Sequence, residues 1–298
     1  DFGARDLVFT PSSFGASNGT MKLYVAGDFT LQLGGGMALK LNAPKENELD
    51  DDNKGSYVKL KCGKFDGLRI DASAIFPRDW LVPRNADGTA STDETKKVEA
   101  TFVAQIRDWN NWMASVNLDK CFIASNDGFG LEVQEMAYDH SDVVNPEGIK
   151  FPDGYAKDKT NLWRGFYIKR AAISLPTAWS ATDQEGKGIS FAVEHMLVDK
   201  TGLSANFMVE NVVNYGKLAG WGFTLDKIGV EIVSSSFKKG YLNGSFKTPI
   251  ADESMYYSAL IQQGKNAATG ASQLQWQFQL KIEENKPLKA TFWKASLH

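Results

Sequence analysis

Residues 273–282 read Gln273-Leu274-Gln275-Trp276-Gln277-Phe278-Gln279-Leu280-Lys281-Ile282. Every even position is apolar and every odd one polar. A strand turns successive side chains to opposite faces, so this segment is predicted to be a strand with one apolar and one wet face. The same alternation recurs upstream. Val58, Leu60 and Cys62 alternate with lysines, and Leu68, Ile70, Ala72 and Ala74 alternate with Arg69, Asp71 and Ser73. Strands with one wet face suit antiparallel sheets better than parallel sheets covered by helices. Turn signals punctuate the runs at Asn18-Gly19, Gly34-Gly35-Gly36, Asp87-Gly88, Asp127-Gly128, Asp153-Gly154 and Asn243-Gly244. Helical periodicity is scarce. Trp109, Trp112, Met113 and Val116 have a three/four spacing that fits a short helix over 108–116 as well as a strand.

The chain also repeats itself. Residues 67–80 read GLRIDASAIFPRDW and residues 165–179 read GFYIKRAAISLPTAW, so that Pro77 and Trp80 match Pro176 and Trp179. Downstream, Phe102-Val-Ala-Gln-Ile matches Phe191-Ala-Val-Glu-His, Gly128-Phe129-Gly130 matches Gly220-Trp221-Gly222, and GIKFP ending at Pro152 matches GSFKTP ending at Pro249. Repeats of this kind report architecture before chemistry. They divide the chain into an N-terminal β segment (1–66), a first copy (67–164), a second copy (165–254) and the start of a third, incomplete unit (255–298). The predicted fold is all-β: an elongated, mainly antiparallel repeat array, built as stacked sandwiches or as one rolled, solenoid-like sheet. With no obvious cap on either end unit, a longer repetitive parent is expected. Arg84 to Lys97 is a polar insertion in the first copy, and Lys45 to Ser56 is an acidic loop.

Composition narrows the functional classes. The 298 residues are 43% hydrophobic and 23% charged, ordinary for a globular chain, and the net charge is −3. No clustered Lys/Arg surplus of the kind that duplex binders use is present, so no nucleic-acid partner is expected. No apolar run approaches the roughly eighteen residues that a membrane-crossing helix needs. The two cysteines, Cys62 and Cys121, are too few for a disulfide scaffold; each reads as a small buried hydrophobe, with a Cys62–Cys121 bridge as the alternative.

Catalytic signatures are missing. In Asp139-His140-Ser141-Asp142, strand geometry sends His140 to the face opposite Asp139 and Ser141, which defeats a triad. His195 falls in step with Phe191, Val193 and Leu197 and reads as a half-buried, hydrogen-bonded histidine. The acidic run Asp50-Asp51-Asp52 lacks EF-hand spacing, and no phosphate loop, nucleophile elbow or zinc motif is found. No cofactor or metal is expected, and the chain leans away from being an enzyme. The aromatics are the remaining lead. Trp80 and Trp179 occupy equivalent places and read as structural, whereas Trp109, Trp112 and Trp163 have no aromatic counterpart in the other copy. Those three are the candidate ligand-binding residues, because sugars and protein partners favour exposed Trp anchors.

The order FGARDLVFTP…WRGFYIKRAAISLP…FAVEHMLVDKTGLSANF…GWGFTLDKIGVEIV resembles repeat segments of very large β-rich proteins encoded in Bacteroidota genomes. The resemblance implies a large multi-repeat parent of bacterial origin and transfers no catalytic residue. The leading expectation is a non-catalytic repeat segment of a structural or adhesive protein, extracellular or at the cell surface, whose partners are neighbouring repeats and a glycan or protein surface. The first alternative is a glycan-binding or glycan-cleaving module. The second is a lipid-handling β groove, in which Leu274, Trp276 and Phe278 face a solvent-continuous trough.

Overall fold

The computed structural model describes residues 19–49, 51–124, 128–142, 144–155, 163–176, 188–218, 221–247, 254–265 and 270–281, together with five short strands near the termini. The chain is nearly all β, with a single 3₁₀ turn at Glu46–Glu48 and no α-helix among the described residues. In chain order the strands are β1 (Phe2–Ala4), β2 (Leu7–Thr10), β3 (Ser13–Ala16), β4 (Thr20–Val25), β5 (Phe29–Gly34), β6 (Met37–Leu41) and β7 (Tyr57–Lys61). Next come β8 (Lys64–Phe76), β9 (Leu81–Pro83), β10 (Val98–Asp108), β11 (Asn111–Ile123), β12 (Gly130–His140), β13 (Gly165–Ser174) and β14 (Ser190–Asp199). The last are β15 (Gly202–Leu218), β16 (Trp221–Val233), β17 (Ser236–Lys247), β18 (Ser254–Lys265), β19 (Ser272–Lys281), β20 (Leu288–Lys289) and β21 (Lys294–Ala295).

Seventeen of these strands form one open sheet, antiparallel throughout. From β10 to β18, leaving β9 aside, each long strand pairs with its predecessor and its successor in sequence. At the other end β8 carries β10 on one edge, and β7 and β6 end to end on the opposite edge. Strands β4 and β1 extend the row beyond β7, and β5 extends it beyond β6. The two repeat copies are not set apart. Strands β12 and β13 pair continuously from Gly130↔Ser174 to Asp139↔Gly165, across the 164/165 boundary. The sheet is therefore a single meander, not stacked sandwiches. Its accessible surface is 18,582 Å², whereas a compact monomer of this mass exposes about 12,500 Å².

Tight hairpins make the meander possible. The stretch that suited a helix is a hairpin between β10 and β11. The Asp108 carboxylate accepts the Asn110 N–H (2.8 Å) and the Asn111 side-chain amide (2.9 Å), closing an Asx turn. Between β16 and β17 both turn residues, Ser234 and Ser235, sit at positive φ (46° and 60°), the signature of a type I′ hairpin. The expected turn at Asn243-Gly244 instead lies inside β17. A Cβ at Gly244 would stand 2.5 Å from the Tyr257 hydroxyl and 2.2 Å from the Thr224 carbonyl oxygen. Here glycine admits a crossing tyrosine and makes no turn.

Bulges reset the alternation at several points, Asn211 in β15 (φ 56°) among them. Glu135 in β12 and His195 in β14 have φ of 43° and 49°. Past His195 the faces exchange: Phe191 is 51% exposed and Leu197 is 0% exposed. Strict period-two reading placed both on one face, and the extra residue at the bulge breaks it.

Candidate functional site

Directly opposed residues in an antiparallel pair share a face, so the registers define two continuous surfaces. One is apolar. It runs from Leu31↔Leu39 and Leu39↔Ala74 through Phe102↔Val116, Ala114↔Tyr138 and Tyr138↔Phe166. It continues through Ile173↔Phe191, Phe191↔Val209, Val209↔Ile228, Ile228↔Leu242, Leu242↔Ala259 and Ala259↔Phe278. Most of the large apolar side chains left in solvent belong to this face. Phe29, Leu31, Leu33 and Leu39 mark one end, and Tyr138, Ile173, Val198, Phe207 and Val230 stand in the middle. At the far end Trp276 is 74% and Phe278 63% exposed, beside Leu274 and Leu280. Soluble monomers rarely leave contiguous apolar patches larger than a few hundred Å² uncovered.

The opposite face is polar and, in its centre, covered. A charge ladder crosses six successive strands there. Lys120 meets Glu132 (3.4 Å), Glu132 approaches Arg170 (3.8 Å), Arg170 binds Glu194 (2.5 Å) and Glu210 (2.7 Å), and Glu210 binds Lys227 (3.1 Å). Burial alone would raise the Glu210 carboxyl, but the hydrogen bonds from Arg170 and Lys227 outweigh it and hold it low. Nearby, Tyr155, Trp163, Tyr167 and Leu197 form a closed cluster against which Ile149 and Phe151 pack. Asp199 organises it. Its carboxylate accepts the Trp163 indole N–H (2.8 Å), the Tyr155 hydroxyl, and the Thr201 N–H and hydroxyl (2.6 Å each). Burial would push this acid up, yet the hydrogen bonds from Thr201, Tyr155 and Trp163 bring it below the usual carboxylate range. His195 Nδ1 lies 3.4 Å from the Tyr167 hydroxyl, and burial lowers its pKa.

The three candidate tryptophans do not share a surface. Trp109 crowns the Asx turn at 87% exposure. Trp112 is half-buried on the apolar face, its ring 5.2 Å from Tyr138 and 5.8 Å from His140. Trp163 is 2% exposed inside the Asp199 cluster and offers no ring to a ligand. Sequence reasoning passed over Phe191, Phe207, Ile228 and Val230 as site residues; the signal for them was alternation sustained on neighbouring strands at matched registers. In the acidic loop, Asp52 sits between Lys22 (3.4 Å) and Lys59 (2.6 Å). Both cysteines are free, and burial pushes the Cys121 thiol up to about 11. Asn18 of the expected turn Asn18-Gly19 lies outside the described residues.

A second acid behaves unlike Asp199. Asp139 is 1% exposed; its Oδ1 accepts the Ser141 N–H (2.8 Å) and its Oδ2 has no hydrogen-bond partner among the described residues. Burial pushes it up to about 6, against that hydrogen bond and the field of Arg164. On the polar side of β15–β19, a cleft of about 590 Å³ is lined by Asn206, Glu231, Tyr241, Asn243, Gln262 and Gln277, among others. Comparison of the chain with family models, curated proteins and solved structures gave no match.

Proposed function

We propose that this chain is a repeat segment of a larger protein and that its sheet handles lipid, holding hydrocarbon chains against the apolar face. One observation carries the reading: the apolar face is continuous from β5 to β19 and, among the described residues, has no second layer over it. Burying such a surface against acyl chains gains about 25 cal/mol per Å² removed from water. The polar face, with its paired charges, stays wetted or covered by loops. This reading retains the structural-repeat expectation, since a meander that crosses the copy boundary without a break extends by adding strands.

The test uses vesicles of phosphatidylcholine brominated along the acyl chains, because bromine quenches tryptophan on contact. Quenching of the intact chain is expected, and it should fall sharply in Trp276→Phe. Phe278→Ser should weaken binding without unfolding the protein. Equal fluorescence with brominated and plain vesicles would overturn the proposal. A glycan reading is the second choice, supported by the carboxamides of Asn206, Asn243 and Gln262 around Tyr241, whose hydroxyl donates to Asn206 Oδ1 (3.0 Å). A glycan screen with Tyr241→Ala as control tests it.

A further inference from the structure

The two copies treat their opening glycine differently. Phe65-Asp66-Gly67 lies in β8, and Trp163-Arg164-Gly165 leads into β13. Phe65 is thus an aromatic counterpart of Trp163, two residues ahead of the glycine, where a comparison begun at the glycines does not reach. In the second copy the indole lies over Gly165. A Cβ there would stand 2.8 Å from Trp163 Cζ2 and 2.4 Å from the Val198 carbonyl oxygen. The indole N–H is met by Asp199, one step past Val198↔Phe166. In the first copy no ring covers the glycine. Within 4 Å a Cβ at Gly67 would meet only the Ile106 carbonyl oxygen, at 3.5 Å, and Phe65 is 51% exposed. One step past Ile106↔Leu68, in the place of Asp199, stands Arg107.

The space that the indole fills over Gly165 is open over Gly67, as a cleft of about 540 Å³ floored by that glycine and walled by Phe65, Lys59 and Arg107. Its cations are not equivalent. Lys59 is bound to Asp52 at 2.6 Å, whereas Arg107 makes no ion pair among the described residues. Asn53, Asp66 and Gln105 line the same cleft, and their side chains make no hydrogen bond among the described residues.

We propose that the slot over Gly67 binds a sugar acid, a pyranose ring that carries a carboxylate. The ring takes the place of the indole, above Gly67 and against the exposed face of Phe65. Its carboxylate goes to Arg107, whose planar fork takes both oxygens. The sense of the polar contact is inverted between the copies: Asp199 accepts from the chain's own indole, and Arg107 donates to an acceptor from outside. The ring hydroxyls answer the carboxamides of Asn53 and Gln105 and the carboxylate of Asp66. A bare aromatic acid would leave those groups unpaired, and a neutral sugar would leave Arg107 unpaired. The slot shares no residue with the strip around Trp276 or with the cleft at Tyr241, so it stands or falls apart from both.

The experiment titrates the full chain with sodium glucuronate, read by calorimetry and by saturation transfer to the sugar ring protons. Millimolar or tighter binding is expected, weakening as salt is added. The neutral methyl ester of glucuronic acid should bind about tenfold more weakly, and Arg107→Gln should weaken glucuronate by a similar factor, with part recovered in Arg107→Lys. Gly67→Val is the second variant. Gly67 is not at positive φ and its Cβ has ordinary contacts, so valine fits the strand while filling the floor of the slot. It should abolish binding with the thermal midpoint unchanged. Failure of glucuronate to bind at millimolar concentration, equal binding of the ester, binding that survives Arg107→Gln or Gly67→Val, or benzoate bound more tightly than glucuronate would each overturn the proposal.

Discussion

Tyr167 and Trp276 belong to one sheet, and both are large aromatics, yet the first is fully enclosed and the second stands three-quarters in solvent. Local sequence differs, strict alternation around Trp276 and the run Phe166-Tyr167-Ile168 around Tyr167, but neither pattern by itself says which ring is enclosed. The difference comes from what crosses over them. Residues 144–155 and Trp163 fold back across β13 and β14, bringing Ile149, Phe151 and Tyr155 onto Tyr167. No described segment crosses β19. Stability is therefore expected to concentrate under the loops, while the strip along β19 is uncovered among the described residues.

This contrast is most strongly broken by emptying the covered cluster. Trp163→Ala removes a buried indole and a hydrogen bond to Asp199, and should cost about 3–5 kcal/mol in urea denaturation. Arg170→Met is next. It leaves Glu132, Glu194 and Glu210 facing one another on a partly covered surface, and should cost about 2–4 kcal/mol in the same assay. If either variant is as stable as the parent, the covered patch is not where stability resides.

Asp139 gives a smaller effect of opposite sign. Its carboxyl titrates at about 6 in the fold, against an ordinary value of 3.8. Between those values the folded chain holds the extra proton, so stability falls as pH rises from about 4 to about 6. Asp139→Asn should flatten that slope and stabilise the protein by about 1–3 kcal/mol at neutral pH, read from urea midpoints across the interval. Asp199 has a depressed pKa, so its contribution to stability is present above the unfolded carboxylate range and is lost as pH falls through its folded value. The smallest expected change sharpens the comparison most. Phe278→Ser on the bare strip should alter stability by no more than about 0.5 kcal/mol while weakening vesicle binding.

Strand type, antiparallel pairing and the amphipathic character of β19 were legible in the sequence because alternation is a local property. Turns were legible in part. Glycine pairs marked those at Gly35 and Gly88, but Asn243-Gly244 misled, because the demand for glycine there comes from Tyr257 on the next strand. Ser234-Ser235 gave no signal, since their positive φ is imposed by the hairpin they close. The bulge at His195 was invisible for the same kind of reason, and with it the transfer of Leu197 to the covered side. Trp163 looked like a ligand anchor only because the Asp199 carboxylate, thirty-six residues away, is not visible in a linear reading.

The charge ladder bears on a hazard peculiar to chains that repeat. During folding, a strand of one copy is a plausible stand-in for its counterpart in the other, and repeat proteins are prone to such misassembly. Aligning Gly67 with Gly165 sets Ala72 where Arg170 belongs. If β8 took the place of β13, three glutamates would converge on a methyl group. The mismatched intermediate would carry uncompensated charge on a partly covered surface and open again. Arg170 thus distinguishes the second copy from the first by charge where the hydrophobic pattern of the two does not.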